Sequence, residues 1–571
     1  RACASDRPSS NHYNIRNNAA MAPAIPLFLA LLAPAAGVTD CDLLFAGGRV
    51  VDGTGAPWYR ADVCVKGDRI AAIGPLRDVR AARRIDASRL VVAPGFIDML
   101  GQSEDFVLID PRAASKITQG ITTEITGEGS AIAPLNARMI ADNEGWKSYG
   151  LAADWTTLAG YWRAFERARP TINLGTFVGA GGVREMVVGD DDRPATPAEL
   201  AAMEKAVAQA MEEGALGLST SLIYTPGRFA STEEIIALAK VAARYGGVYI
   251  THQRSEEEEI DRSLDEVFRI ARETPIPTEI YHLKTAGRAQ WGRMPAVLKR
   301  IEQARAEGLD VTADQYPYAA SSNNLSASLP VWVREGGRDR MLARLRDPQA
   351  RAKATADHLA EDPFWKDGGP ARILITSVLN PELKKYEGKT IEEIAKAEGK
   401  DGYEALMDLV LADRGNTGRV TFSMSEDDVR TALKHPLVSF CTDSGARATD
   451  GPLSREKSHP RAWGSATRIL GRYVREEKLL PLEEAVRKMT SLPAGRVGLL
   501  DRGLLRPGMA ADLVAFDPLT VRDRATFSEP AQYSEGVPFV AVNGQLVVDE
   551  GRITDARPGR PLKGLGHRPA K

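Results

Sequence analysis

"VVAPGFIDMLGQSED", residues 91–105, changes character halfway along. Val91, Val92 and Ala93 lead through Pro94-Gly95 into Phe96-Ile97-Asp98-Met99. A short apolar run bounded by turn residues reads as a fully buried strand. The chain then turns polar at Gly101, Gln102, Ser103, Glu104 and Asp105. A buried strand whose far end is polar is what a parallel barrel with a site on its rim requires.

Outward from this stretch, strand and helix patterns alternate. Strands are predicted near 90–98, 121–126, 172–178, 215–220, 247–252, 277–282, 309–314 and 437–442. Helical periodicity lies between them. In "TPAELAAMEKAVAQAMEEG", Leu200, Met203, Val207 and Met211 recur at helical spacing and Gly214 closes the run. Eight strands with intervening helices predict a (β/α)8 TIM barrel over 93–330 plus 420–499. The spacing fails once, and residues 331–419 read as an inserted, mostly helical subdomain. Short strands punctuated by glycines occur near both ends of the chain. Neither group can bury a face alone, so 41–92 and 500–560 are expected to build one β-sandwich together.

The 571 residues exceed one ordinary core, and 43% hydrophobic with 26% charged residues is ordinary for a globular protein. The formal net charge of −2, with no long block of one sign, argues against a nucleic-acid partner. The densest acidic run, Glu256–Glu259, reads as the solvated first turn of a helix. The four cysteines (Cys3, Cys41, Cys64 and Cys441) show no CxxC spacing, so a thiolate zinc site is not expected. Cys41 and Cys64 are either a disulfide in an oxidising compartment or two small core residues. Residues 1–40 read as a leader. Residues 1–20 are polar and patternless, and read as an extension upstream of a start at Met21. "MAPAIPLFLALLAPAAGVTDC" then carries an apolar stretch from Ile25 to Leu32 followed by small residues, the pattern of a secretory signal peptide. That predicts a secreted or periplasmic protein, the alternative being a cytoplasmic one if the stretch is not a signal peptide. The stretch is too short for a stable membrane anchor.

Polar residues at the C-terminal ends of barrel strands are the site candidates. They are Glu128 after strand two, His252 after strand five, His282 and Lys284 after strand six, Tyr316 and Ser322 after strand seven, and Asp443 after strand eight. A lone histidine at such a place is ordinarily a satisfied structural residue. Two at equivalent ends of adjacent strands, with Glu128 and Asp443 on the same rim, point to a metal. Zinc takes imidazole nitrogens and carboxylate oxygens, and a catalytic zinc keeps a fourth position open. Glu128, His252 and His282 would be its three ligands, leaving Asp443 as general base.

These residues sit in motifs that resemble the D-aminoacylase branch of the amidohydrolase superfamily. The likeness runs through "QGITTEITGEG", "GALGLSTSLIYTPGRFAS", "THQRSE", "YHLKTAG", "DQYPYAASS", "CTDSG", "HPRAWGSATRILG" and the tail "RPGMAADLVAFDP". Each motif is weak alone, and their joint order is strong. The resemblance implies a metal-dependent hydrolase of N-acyl amino acids, of D configuration. It implies Glu128, His252 and His282 as metal ligands and Asp443 as proton shuttle. Lys284, Tyr316, Ser322 and Arg461 would contact the carboxylate of a small-molecule substrate. One departure stands out. In that superfamily Pro-Gly-Phe-Ile-Asp is normally followed by two histidines, one residue apart, that bind a second metal. Leu100 and Gln102 occupy those places here. One zinc ion is therefore expected, with the second site absent or weak. Gln102 and Glu104 are oxygen donors nearby, Glu104 as a replacement ligand or as a salt-bridged rim residue, and Gln102 and Ser103 are candidates for hydrogen-bonding the substrate or the metal-bound water.

Two other readings compete. A cyclic-amide hydrolase, of dihydroorotase or hydantoinase type, would need no long acyl pocket, whereas Leu222, Ile223, Tyr224 and the insertion offer one. A non-catalytic barrel that lost its histidine pair would be expected to have lost the rest of its site as well. Composition and motifs leave the oligomeric state open.

Overall fold

The computed structural model describes residues 40–569 apart from 131 and 362. The predicted signal peptide lies outside the described residues. Eight parallel strands form the barrel: Phe96–Asp98, Ile121–Thr126, Asn173–Thr176 with Val178–Gly179, Gly217–Ser221, Val248–His252, Thr278–Ile280, Val311–Gln315 and Val438–Phe440. Neighbours pair in sequence order, and the ring closes where the Met99 N–H donates to the Phe440 carbonyl at 3.2 Å and Gly101 bridges Ser444. All residues of Ile121–Thr126 and Val248–His252 are buried, as expected of strands covered by helices outside and packed side chains inside.

The third strand breaks at Phe177, whose N–H turns to the Thr126 carbonyl while Thr176 accepts from Leu216. The helix predicted around Met203 spans Pro197–Glu212. It starts at a Thr196–Glu199 capping box and buries Met203, Val207 and Met211 against the barrel.

Both chain ends build one nine-stranded sheet. Asp40–Val50 pairs with Tyr59–Lys66, with Arg80–Asp86 along its first half, and with Val91 and Val92 at its end. Val91–Pro94 in turn pairs antiparallel with Leu513–Phe516. The sheet folds over a core that includes Phe45, Val63, Val65, Val92, Leu513 and Ala541. Cys41 and Cys64 lie on adjacent strands with Cα atoms 5.6 Å apart and form a disulfide.

Beyond the seventh barrel strand the chain leaves the barrel and packs around a separate core of Leu342, Leu345, Ile375, Tyr403, Leu406 and Val410. Four helices dominate it: Gly337–Arg346, Pro348–Glu361, Ile391–Glu398 and Gly402–Ala412. It also carries a three-stranded antiparallel sheet of Ser321–Asn324, Gly418–Thr421 and Ile373–Ser377, absent from the helical expectation. The C-terminal segment crosses the end of the barrel opposite the site, where the Leu562 N–H reaches the Leu174 carbonyl at 2.8 Å. Among the described residues, no helix is long and apolar enough to cross a membrane.

Candidate active site

Glu128, His252 and His282 converge at the C-terminal mouth of the barrel, with one ligand atom from each within 4.8 Å of the others. Glu128 Oε1 lies 2.7 Å from His252 Nδ1 and 3.4 Å from His282 Nε2. The two imidazoles meet edge to face, with ring centroids 4.4 Å apart. Two imidazole nitrogens and one carboxylate oxygen, aimed at a common point, are the donor set a zinc ion accepts, and three such donors leave a fourth position open. His252 Nε2 is buried without a hydrogen-bond partner. Without a metal, burial opposes charge on His252, but the Glu256 and Glu128 carboxylates outweigh it and raise the ring to about 9. Burial likewise opposes charge on Glu128, and its contacts with the two histidines hold it well below the usual carboxylate range.

The backbone at this mouth is unusual. His282 has φ 33° and Asp443 φ 49°, the left-handed region that side chains other than glycine seldom occupy. Each is pinned from a neighbouring strand. The His282 N–H donates to Asp314 Oδ1 at 2.7 Å, and the Asp443 N–H to the Leu100 carbonyl at 2.8 Å. Beneath Asp443 lies a buried ionic cluster. Lys116 Nζ donates to Asp98 Oδ2 at 2.9 Å, Thr442 Oγ1 at 2.8 Å and the Ser444 carbonyl at 2.6 Å, and also pairs with Glu124. The residues on either side of Asp443 are thus tied to one ammonium group.

Sequence reasoning singled out Gln102 as a hydrogen-bonding candidate and missed Glu256. Gln102 Nε2 donates to both Glu128 Oε2 and Asp443 Oδ1, each at 3.0 Å. The expectation for Glu256 as a solvated residue is corrected. Its carboxylate pairs with Lys284 at 2.5 Å and lies 3.2 Å from His282 Nδ1 and 3.6 Å from His252 Nε2. Glu257, Glu258 and Glu259 are exposed, as expected, and the helix that follows starts at Ile260. The four-residue spacing of His252 and Glu256 was the available signal. Glu104 stands outside the ligand cluster, and its backbone carbonyl accepts from Tyr161 at 2.8 Å.

The remaining candidates surround Asp443. Arg461 opens the helix Arg461–Arg468, and its Nη1 lies 2.6 Å from Asp443 Oδ2. Tyr316 sits between two cations, 4.6 Å from the Arg461 guanidinium and 5.9 Å from Lys284 Nζ. Lys284 Nζ contacts His282 Nδ1 at 2.7 Å besides Glu256. Ser322 joins the group through its backbone. Its carbonyl accepts from Arg461 Nη2 at 3.1 Å, while its hydroxyl donates to the Arg419 carbonyl at 2.8 Å. Beyond Lys284 and Glu256 opens a cavity of about 980 Å³, walled by Ile223 from the barrel and by Leu329, Trp332 and Arg334 from the insertion. Tyr224 packs edge-on to His252 at 5.4 Å, and its hydroxyl accepts from Asn323 at 3.2 Å.

A closed eight-stranded barrel, a His-His-carboxylate cluster at its C-terminal mouth and a carboxylate facing that cluster define a metal-dependent hydrolase. The chain belongs to the amidohydrolase family, whose model matches residues 83–548. It is 38% identical over 522 residues to the D-aminoacylase of Alcaligenes xylosoxydans xylosoxydans, covering 91% of this chain and 97% of that protein. Its fold is similar to N-acyl-D-glutamate deacylase from Bordetella bronchiseptica, solved with zinc and a phosphonate mimic of the tetrahedral intermediate (TM-score 0.76, 34% identity, 92% of this chain and 100% of that one). It is equally similar to a D-aminoacylase whose binuclear centre is described by one-metal activation and second-metal attenuation (TM-score 0.76, 36% identity, 92% and 100%).

Proposed function

We propose that this chain hydrolyses the amide of N-acyl-D-amino acids with one zinc ion held by Glu128, His252 and His282. The observation that carries the reading is the convergence of those three side chains beside Asp443. The D configuration rests on the relatives' substrates, and the single ion on Leu100 and Gln102. A zinc ion at such a site acidifies water and polarises a carbonyl.

The protein's own residues supply the rest. Asp443 takes the proton from water as the new carbon–oxygen bond forms, and delivers it to the nitrogen as the carbon–nitrogen bond breaks. Arg461, beside Tyr316 and Ser322, holds the substrate carboxylate. Lys284 acts on His282 and Glu256, which orients the ligand ring. The cavity beyond Lys284 takes the acyl group, and its size favours this reading over a cyclic-amide hydrolase. We further propose export to an oxidising compartment, supported by the apolar stretch after Met21 and the Cys41–Cys64 disulfide.

The test is zinc quantitation on purified protein, combined with a panel of N-acetyl-D- and N-acetyl-L-amino acids and small cyclic amides. About one zinc per chain with turnover of D-substrates is expected. Metal-free protein inert to the whole panel, or a preference for cyclic amides, would overturn the reading.

A further inference from the structure

Arg461 is placed for two duties that exclude each other. Its Nη1 lies 2.6 Å from Asp443 Oδ2, and both side chains are buried (Arg461 3%, Asp443 7% exposed). The pair is close but poorly aligned. Arg461 Nε and Nη1 are buried without a hydrogen-bond partner, and only Nη2 is satisfied, by the Ser322 carbonyl. Unmet donors on a buried guanidinium are costly, and Arg prefers a carboxylate that offers two oxygens. Asp443 offers one, because its Oδ1 accepts from Gln102. A substrate carboxylate brings two.

We propose that the substrate's own carboxylate switches on the proton shuttle by taking Arg461 from Asp443. In the resting enzyme the shuttle's Oδ2 is held by a cation and is a poor proton acceptor. Once the substrate carboxylate replaces it on Arg461, Oδ2 is free to accept the proton of the attacking water. That proton then goes to the departing amine nitrogen, so atoms and charge balance without any other reactant. Burial raises the Asp443 carboxyl above its usual range and Arg461 is the strongest influence drawing it back, so losing this partner leaves a stronger base. The carboxylate therefore acts on turnover as well as on binding. The inference rests on the deacylase reading above.

The experiment uses the zinc-loaded enzyme and two compounds: an N-acetyl-D-amino acid that it hydrolyses, and the matching N-acetyl amine with hydrogen in place of the carboxylate. For the wild type, kcat on the second compound is expected to be lower by about 100-fold, and added formate is expected to raise it about tenfold by occupying Arg461. Arg461→Met should turn over both compounds with kcat values within about tenfold of each other, insensitive to formate, with zinc content unchanged. Calorimetry on metal-free protein should detect formate binding to the wild type and none to the variant. Equal kcat on both compounds, with the whole difference in KM, would overturn the switch, as would a formate titration without effect on the wild type. The formate arm decides the matter even where Arg461→Met does not fold. Failure of the wild type on every N-acyl amino acid would instead overturn the deacylase reading.

Discussion

At the scale of single residues, Gln102 changes what the missing histidines mean. Its amide nitrogen lies between Glu128 and Asp443 and donates to both, so two carboxylates that would repel are held by one neutral group. It meets the Glu128 oxygen that faces away from the histidines, which leaves Oε1 for the ligand cluster. Gln102→Met is expected to lower activity or zinc affinity by about 10–100-fold, read from steady-state kinetics and zinc titration. Asp443→Asn keeps the shape of the proposed shuttle and removes its proton affinity. Its kcat should fall by about 100- to 10,000-fold while zinc content stays near wild type and KM does not rise, since Arg461 is released to the substrate carboxylate. Near-normal turnover would remove Asp443 from the mechanism. Glu104 gives a stability signature. Desolvation, with Asp105 and Glu124 nearby, pushes its carboxyl up to about 8. A carboxyl raised on folding contributes stability below its unfolded pKa and loses it as pH rises toward the folded value. The Tm of Glu104→Gln relative to wild type should thus increase by about 2 °C between pH 5 and pH 9. A difference that stays flat with pH would show that Glu104 titrates normally.

At the scale of elements, the strand ends were legible and their cross-connections were not. His252, His282 and Asp443 each close a buried run, and burial followed by a polar residue can be read without a structure. Glu128 follows its strand by two residues and was found the same way. Glu256 was missed because an acidic run has the pattern of an exposed helix start, and only the fold brings its first member over His282. The small sheet of the insertion was missed because its three short strands are far apart in the chain, so no local pattern marks them. Lys116 belongs to a short buried helix, Ala114–Ile117, and no local sequence pattern singles it out. In the structure it joins the first, second and eighth barrel strands through Asp98, Glu124 and Thr442. Lys116→Met would leave two buried carboxylates without a counter-ion and cost about 3–5 kcal/mol, measured by urea denaturation. The triple variant Lys116→Met, Asp98→Asn, Glu124→Gln should recover much of that loss. A single variant as stable as wild type would mean that the cluster is not charged.

At the scale of the whole molecule, the alternation of strands and helices predicted the barrel well, because each unit is local in the chain. Non-local closure is harder to read. The split of the third strand at Phe177 and the passage of the C-terminal segment over the far end of the barrel depend on partners remote in the chain. That both ends share one sheet was inferred from economy, since neither could bury its own face. Its strand order, with Val91–Pro94 between the first strand and Leu513–Phe516, required the structure.

This arrangement has a consequence for how the protein is made. Val91–Pro94 leads directly into the first barrel strand, yet one of its edges stays bare until the ribosome has delivered Leu513–Phe516. Throughout that interval the nascent chain carries an apolar strand with free N–H and carbonyl groups, a ready template for pairing with another copy. A chain stopped just before Leu513 should therefore pellet on expression where the full chain stays in the supernatant. Recovery of the shortened chain as dispersed monomer would show that the bare edge is shielded some other way.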